Sequence, residues 1–233
     1  HYLRELTRRG VACLGADVVF AKCWLARHWV APAAEYVVFD AASPWPVADE
    51  RFDLVMCHDA FYFLPDQPAV AARLRNATTA DGVLAISHLH NAGHAGGALG
   101  PAREAGEWAA LFPDATVYDE RTLLHALMTA GTPVPSGWTV DDAVEAWSIV
   151  RGAAPARPVR DGMAVPPADA VLRRNPLLGA HGVEWPSDRY RHEYAAGCFW
   201  ALPDDGQTGA GLQSGLVPDD ARVRRMVDLP ERW

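Results

Sequence analysis

Lysine is almost missing from this chain. Of 21 lysine and arginine residues, only Lys22 is a lysine. That bias fits GC-rich coding and carries no functional message. Cysteine is scarce as well: Cys13, Cys23, Cys57 and Cys198, with no CxxC pair among them. A zinc ribbon or thioredoxin-type motif is therefore not supported. Cys13 and Cys57 sit in apolar runs and read as small core residues in a reduced, cytoplasmic setting. No apolar run approaches the roughly 20 residues that a membrane span needs, and no signal-peptide pattern opens the chain. Positive charge is in deficit, with 21 basic against 29 acidic residues and a net charge of −8. That balance argues against a nucleic-acid partner and against a polybasic membrane foot. What is plentiful is apolar surface. Half of the 233 residues are hydrophobic, which predicts a buried core in one large domain or a domain plus a cap.

The first ninety residues alternate helix and strand. Tyr2 to Arg9 has helical spacing and a stop at Gly10. Val11 to Ala16 reads as a buried strand ending at Asp17. Ala21 to Val30 is helical, with Pro32 after it. Glu35 to Phe39 is a strand ending at Asp40, and Phe52 to Cys57 is a third. Gln67 to Arg75 is a helix, and Asp81-Gly82 turns into a fourth strand, Val83 to Ser87. Continuous apolar strands separated by helices predict a parallel sheet buried on both faces. Further on, Gly93 to Gly100 reads as a loop. Thr116 to Tyr118 and Glu120 to Met128 form one more strand–helix pair. Val140 to Val150 has helical spacing, and Tyr190 to Leu202 reads as a strand region before a Gly- and Asp-rich tail.

In such a sheet, ligands bind beyond the carboxyl ends of the strands. Those ends carry Asp17, Asp40, His58-Asp59 and His88-Leu89-His90. A carboxylate has two acceptor oxygens, which suits a ribose diol, and a second acid can accept from an adenine amino group. Two acids at successive strand ends suit a neutral or cationic nucleoside better than a phosphate, which they would repel. His88, His90 and His94 form an HxH-x3-H pattern that could ligate zinc. No nearby acid or cysteine completes it, so no metal is expected. Histidine titrates near neutral pH, so His58, His88 and His90 are candidate general bases.

Four segments resemble the class I S-adenosylmethionine-dependent methyltransferases in order and spacing. They are LGAD ending at Asp17, YVVFDAA around Asp40, PWPVADERFDLVMCHDAFYFL from Pro44 to Leu64, and DGVLAISH ending at His88. The resemblance covers about 90 residues. It implies a Rossmann-like α/β fold with helices on both faces, a last antiparallel strand, and S-adenosyl-L-methionine as cofactor. By that resemblance Asp17, with Val18 beside it, binds the ribose. Asp40 meets the adenine amino group with the Ala41 amide next to it, and His58 lies near the methionine portion. Asp59, Phe61 and Tyr62 face cofactor or acceptor. Asp53, inside FDLV, is a structural residue of the family. One departure stands out: the family's first strand and glycine-rich loop find no match, and Gly10 and Gly15 do not replace them. The expectation is that these lie upstream of His1, and that the chain by itself binds the donor poorly.

The expected organisation is a donor-binding core over 1–95, a cap or insertion over 96–185, and a sheet-closing strand region with a tail over 186–233. Nine tryptophans, among them Trp108, Trp138, Trp147, Trp185 and Trp200, could line a flat acceptor pocket or simply pack the core. The functional expectation is methyl transfer to a small-molecule acceptor. A non-catalytic methyltransferase-like binding module and a nicotinamide-dependent oxidoreductase are the rivals. Oligomeric state is not legible.

Overall fold

The structure is a computed structural model. It describes residues 2–95, 100–129, 131–152, 173–174, 178–179, 182–194 and 227–228. The chain divides into two compact units, one of residues 1–125 and 132–158, the other of residues 126–131 and 159–233.

The first unit carries helix α1 (Tyr2–Arg8), strand β1 (Leu14–Asp17), helix α2 (Phe20–Leu25) with a π-helical turn over Ala26–Val30, and strand β2 (Glu35–Val38). Strand β3 (Phe52–His58), helix α3 (Gln67–Ala77), strand β4 (Thr78–His90), helix α4 (Ala105–Leu111) and strand β5 (Thr116–Asp119) follow. Helix α5 (Glu120–Thr129) runs out of this unit, and strand β6 (Ala146–Arg151) completes it.

The strands form two sheets. β1 and β2 pair in parallel, with Leu14 opposite Glu35 and Asp17 opposite Val38. The other sheet has the order β3-β4-β6-β5. β3 and β4 run parallel, and β6 is antiparallel to both β4 and β5. With helices between the strands, this is a Rossmann-like α/β arrangement whose last strand is antiparallel. Helix α1 touches both sheets. Its Leu3 methyl lies where a side chain at Gly15 on β1 would stand, so only glycine lets the helix approach this strand. Its Tyr2 ring lies tilted against His58 at the end of β3, with centroids 4.4 Å apart.

The core lies on the four-stranded sheet. Val55, Leu84, Ile86, Val117, Trp147 and Ile149 from the strands meet Val70, Ala71 and Leu74 of α3 and Trp108 of α4. Phe61 and Phe112 fill the corner, with rings 5.4 Å apart. Burying each such side chain contributes about 1.5–3 kcal/mol. Trp108 and Trp147 are therefore core residues, and Trp138 packs edge-on against Trp147. Burial alternates along β4: Leu84 and Ile86 are enclosed, whereas Val83 and Ala85 are half-buried. The expectation of strands fully buried on both faces is corrected here.

Three other expectations change. Asp81-Gly82 does not turn into a strand but lies inside β4, which starts at Thr78. Val140 to Val150 is not a helix; β6 occupies Ala146–Arg151 because β4 and β5 both offer it a ladder. Tyr190, expected in a strand, lies in helix α6 (Asp188–Tyr194), and residues 195–202 fall outside the described residues. On the surface, Phe20, Trp24 and Trp29 leave their rings exposed along α2 and the π-helical turn. No described helix is long and apolar enough to cross a membrane.

The second unit contains short antiparallel pairs, Arg173–Arg174 with Val227–Asp228 and Leu178–Gly179 with Gly182–Val183, and the helix α6. Cys198 and Trp200 lie outside the described residues.

Candidate active site

Two groups of residues stand at the carboxyl ends of the parallel strands. At the ends of β1 and β2, Asp17 and Asp40 are neighbours, because the Phe39 amide donates to the Asp17 carbonyl at 3.3 Å and extends the ladder. Each carboxylate folds back on its own turn. Asp17 Oδ1 accepts from the Val19 amide at 2.8 Å, and Asp40 Oδ1 accepts from the Ala42 amide at 2.9 Å. These are turns in which the side chain mimics the backbone. Asp17 Oδ2 also lies 3.5 Å from the Lys22 ammonium. One oxygen of each acid is thus committed to its own turn, and the second oxygen of Asp17 faces the Lys22 ammonium. Val18 is exposed beside Asp17. The Ala41 carbonyl accepts from Trp45 Nε1 at 3.0 Å and from Arg73 at 2.8 Å, which pins the loop after β2 to α3.

The second group is at the ends of β3 and β4. His58 Nδ1 lies 2.8 Å from Ser87 Oγ, and burial holds its pKa below the usual histidine value. Asp59 follows with φ of +50°. Its carboxylate accepts from the Tyr62 hydroxyl at 2.6 Å, and a short polar side chain of this kind tolerates left-handed backbone best. Tyr62 is buried, its ring 4.4 Å from that of His90. Phe61, grouped with it in the sequence, is instead enclosed in the core against Trp108 and Phe112.

β4 is irregular where it reaches this group. Its register against β6 shifts between Ile86 and Leu89, and His88 has φ of +64°. An extra residue in one strand re-aims a side chain, and such strain gathers at functional sites. The freed His88 amide donates to Glu120 Oε1 at 2.7 Å, and His88 Nδ1 donates to Glu120 Oε2 at 2.8 Å. Ser148 Oγ, on β6, donates to Glu120 Oε1 at 2.8 Å. Glu120 opens α5. Its hydrogen bond and charge hold the His88 pKa above the usual value despite burial. Burial alone would raise the Glu120 pKa, but the bonds from His88 and Ser148 outweigh it and the net shift is downward.

His90 is enclosed, its ring 4.6 Å from that of His88. Burial and the neighbouring His88 lower its pKa, and its Nδ1 has no hydrogen-bond partner. His94 does not join this group: its Nδ1 lies 2.9 Å from the Asp142 carbonyl. Among the described residues, no cluster of three or more His, Cys, Asp or Glu could hold a metal ion. Asp53 accepts from Thr79 Oγ1 at 3.2 Å and so ties β3 to β4. Sequence reasoning found the histidines but not Glu120 or Ser148. No local motif marks those two, which reach His88 only through the fold.

Comparison with known proteins adds a match over the first part of the chain. The family model described as "Methyltransferase domain" matches residues 1–86. No curated protein matches the chain. Among solved structures, the chain is similar to a TehB-like SAM-dependent methyltransferase from Corynebacterium glutamicum, with 17% identity and a TM-score of 0.46. That match covers 64% of this chain and 72% of that one. It is also similar to an S-adenosylmethionine-dependent methyltransferase from Mesorhizobium loti, with 21% identity and a TM-score of 0.35. There the match covers 38% of this chain and 42% of that one, less than half of the relative's length. Residues 1–86 of the 233 thus carry the methyltransferase-domain match, and S-adenosylmethionine is the cofactor that such a domain implies.

Proposed function

We propose that the protein transfers a methyl group from S-adenosylmethionine to a small-molecule acceptor. The observation that carries this reading is the cluster of His58, Asp59, Tyr62, His88 and His90 at the carboxyl ends of β3 and β4, within and beside the methyltransferase domain. In this reading Asp17, with Val18, holds the ribose, and Asp40, with Ala41, holds the adenine. His58 borders the methionine portion. Asp59 and Tyr62 face the acceptor, with Phe61 supporting them from the core. S-adenosylmethionine supplies an already activated methyl group. The protein's task is to align the acceptor, exclude water and receive a proton where one must leave. The negative net charge of the chain disfavours a polyanionic acceptor. The chemistry needs no second cofactor, and its setting is taken as cytoplasmic.

The test is calorimetric titration of S-adenosylhomocysteine into the chain. Weak binding is expected, since the family's glycine-rich loop finds no match here, and Asp17→Asn and Asp40→Asn should each weaken it further, roughly tenfold or more. A second reading, a non-catalytic module, draws on the same two acids, since both already serve their own turns. If both variants bind as the parent does, the acids are turn residues only. Absence of binding in the parent removes the donor site and favours the module.

A further inference from the structure

The imidazole of His88 is held on one side only. Glu120 takes its Nδ1 and its backbone amide with two different oxygens, and Ser148 satisfies the first of those oxygens again. Three elements, the kinked end of β4, the first residue of α5 and the middle of β6, therefore converge on one ring. A carboxylate on Nδ1 fixes the tautomer that leaves Nε2 as the acceptor. It also stabilises the imidazolium that would form when Nε2 takes a proton. Such a base is of no use to an acceptor that attacks with a lone pair it already carries, such as a thioether or a free amine. It serves an acceptor whose proton must leave during transfer. A histidine is far from matching an aliphatic alcohol but is within a few units of a phenol, which ionises near 10. Aromatic rings border the cluster and are open to solvent: Tyr2 over His58, and Phe63 against Tyr62 with centroids 4.2 Å apart. They suit a flat ring.

We propose that Glu120 and Ser148 are positioning residues that present His88 Nε2 as the base, and that the acceptor is a phenolic hydroxyl. This rests on the methyl-transfer reading above. In the step, the acceptor O–H bond breaks and its proton passes to Nε2. The oxygen's electron pair forms the new O–CH3 bond. The pair of the broken C–S bond stays on sulfur, which leaves as the uncharged thioether of S-adenosylhomocysteine. The imidazolium is balanced by Glu120 and later returns its proton to solvent. The groups that also face His88 are His58 on β3, Asp59 and Tyr62 after it, His90 on β4, and Glu145 ahead of β6. Their charges act on the same titration and remain unchanged in the variants below.

The experiment measures transfer of radiolabelled methyl from S-adenosylmethionine to two matched acceptors, 2-naphthol and 2-naphthylamine, with the full chain. Titration of S-adenosylhomocysteine accompanies every variant. Methylation of the naphthol alone is expected. His88→Gln should lower it roughly 100-fold or more, and Glu120→Gln roughly 10- to 100-fold. S-adenosylhomocysteine affinity should stay within about twofold. The acid limb of kcat/KM should lie above pH 6.5 in the parent, and Glu120→Gln should move it to lower pH, a shift that a merely structural glutamate would not produce. Glu120→Asp should restore part of the rate. Equal labelling of the amine overturns the proposal. So does a Glu120→Gln variant with the parent's rate and pH profile. S-adenosylhomocysteine binding without transfer to the naphthol overturns it too and leaves the donor reading standing. Failure to bind S-adenosylhomocysteine defeats that reading itself.

Discussion

Trp147 is fully buried, yet its indole N–H finds no hydrogen-bond partner. Its value therefore lies in volume, not polarity. Trp147→Ala should cost about 3–5 kcal/mol, whereas Trp147→Phe should cost under about 2 kcal/mol, because it removes an unpaired donor together with part of the ring. Chemical denaturation of the two variants checks the difference. The same inward reading was available for Trp108 and Trp147 in the sequence only as one of two options, pocket or core, since an aromatic carries no label for either. Charged and polar residues divide differently. Asp17, Asp40, His58 and His88 are legible because each follows an apolar run that must end at a sheet edge. Glu120 is not, because it stands 32 positions from the ring it holds and looks like any acid in a first helical turn. Cys57 is half-buried, and burial pushes its thiol up to about 11. It should resist alkylation at neutral pH in the folded chain.

At the scale of elements, helix α3 shows how one residue can do two jobs. Asp66 caps it, accepting from the Ala69 amide at 3.4 Å, and does so with φ of +47°. Asp66→Ala loses the cap and leaves a β-carbon in left-handed backbone without the polar group that eases aspartate there, a cost of about 1–2 kcal/mol. Asp66→Gly keeps the backbone at ease and should cost only a few tenths. Thermal unfolding of the two variants should rank them in that order. Elements from α1 to α3 were readable because glycine, proline and acid stops punctuate a strong period. The stretch around β6 was misread for a physical reason. Val140, Ala143, Val144 and Trp147 happen to fall at helical spacing, but Trp147, Ile149 and Val150 are β-preferring, and ladders on both sides decide the outcome. The length of β4 was hidden likewise. Asp81-Gly82 resembles a turn, yet in the fold Leu54 of β3 lies opposite Val83, the residue just after it.

For the whole molecule, the linked charges of His88 and Glu120 make stability depend on pH in a defined window. His88 has a raised pKa, so its contribution is complete below its ordinary value of 6.5 and fades as pH rises through the higher folded value. Glu120 has a lowered pKa, so its contribution is complete above its ordinary value of 4.5 and fades as pH falls through the lower folded value. The pair therefore stabilises most between those two ordinary values. His58 and His90, both lowered by burial, work against folding as pH drops below 6.5. The quantity to measure is the difference in unfolding free energy between the parent and Glu120→Gln across pH 4 to 9. It should be largest near pH 5 to 6 and shrink on either side; a flat difference would disconnect the two residues. The pairing of Lys22 with Asp17 has a further, practical consequence. It is the one lysine in the chain, its side chain is largely open to water, and it stands 3.5 Å from the carboxylate assigned to the ribose. Amine-directed reagents thus meet a single side chain, at the edge of the proposed donor site. Its labelling rate, read by mass spectrometry, becomes a one-point footprint of whether that site is filled.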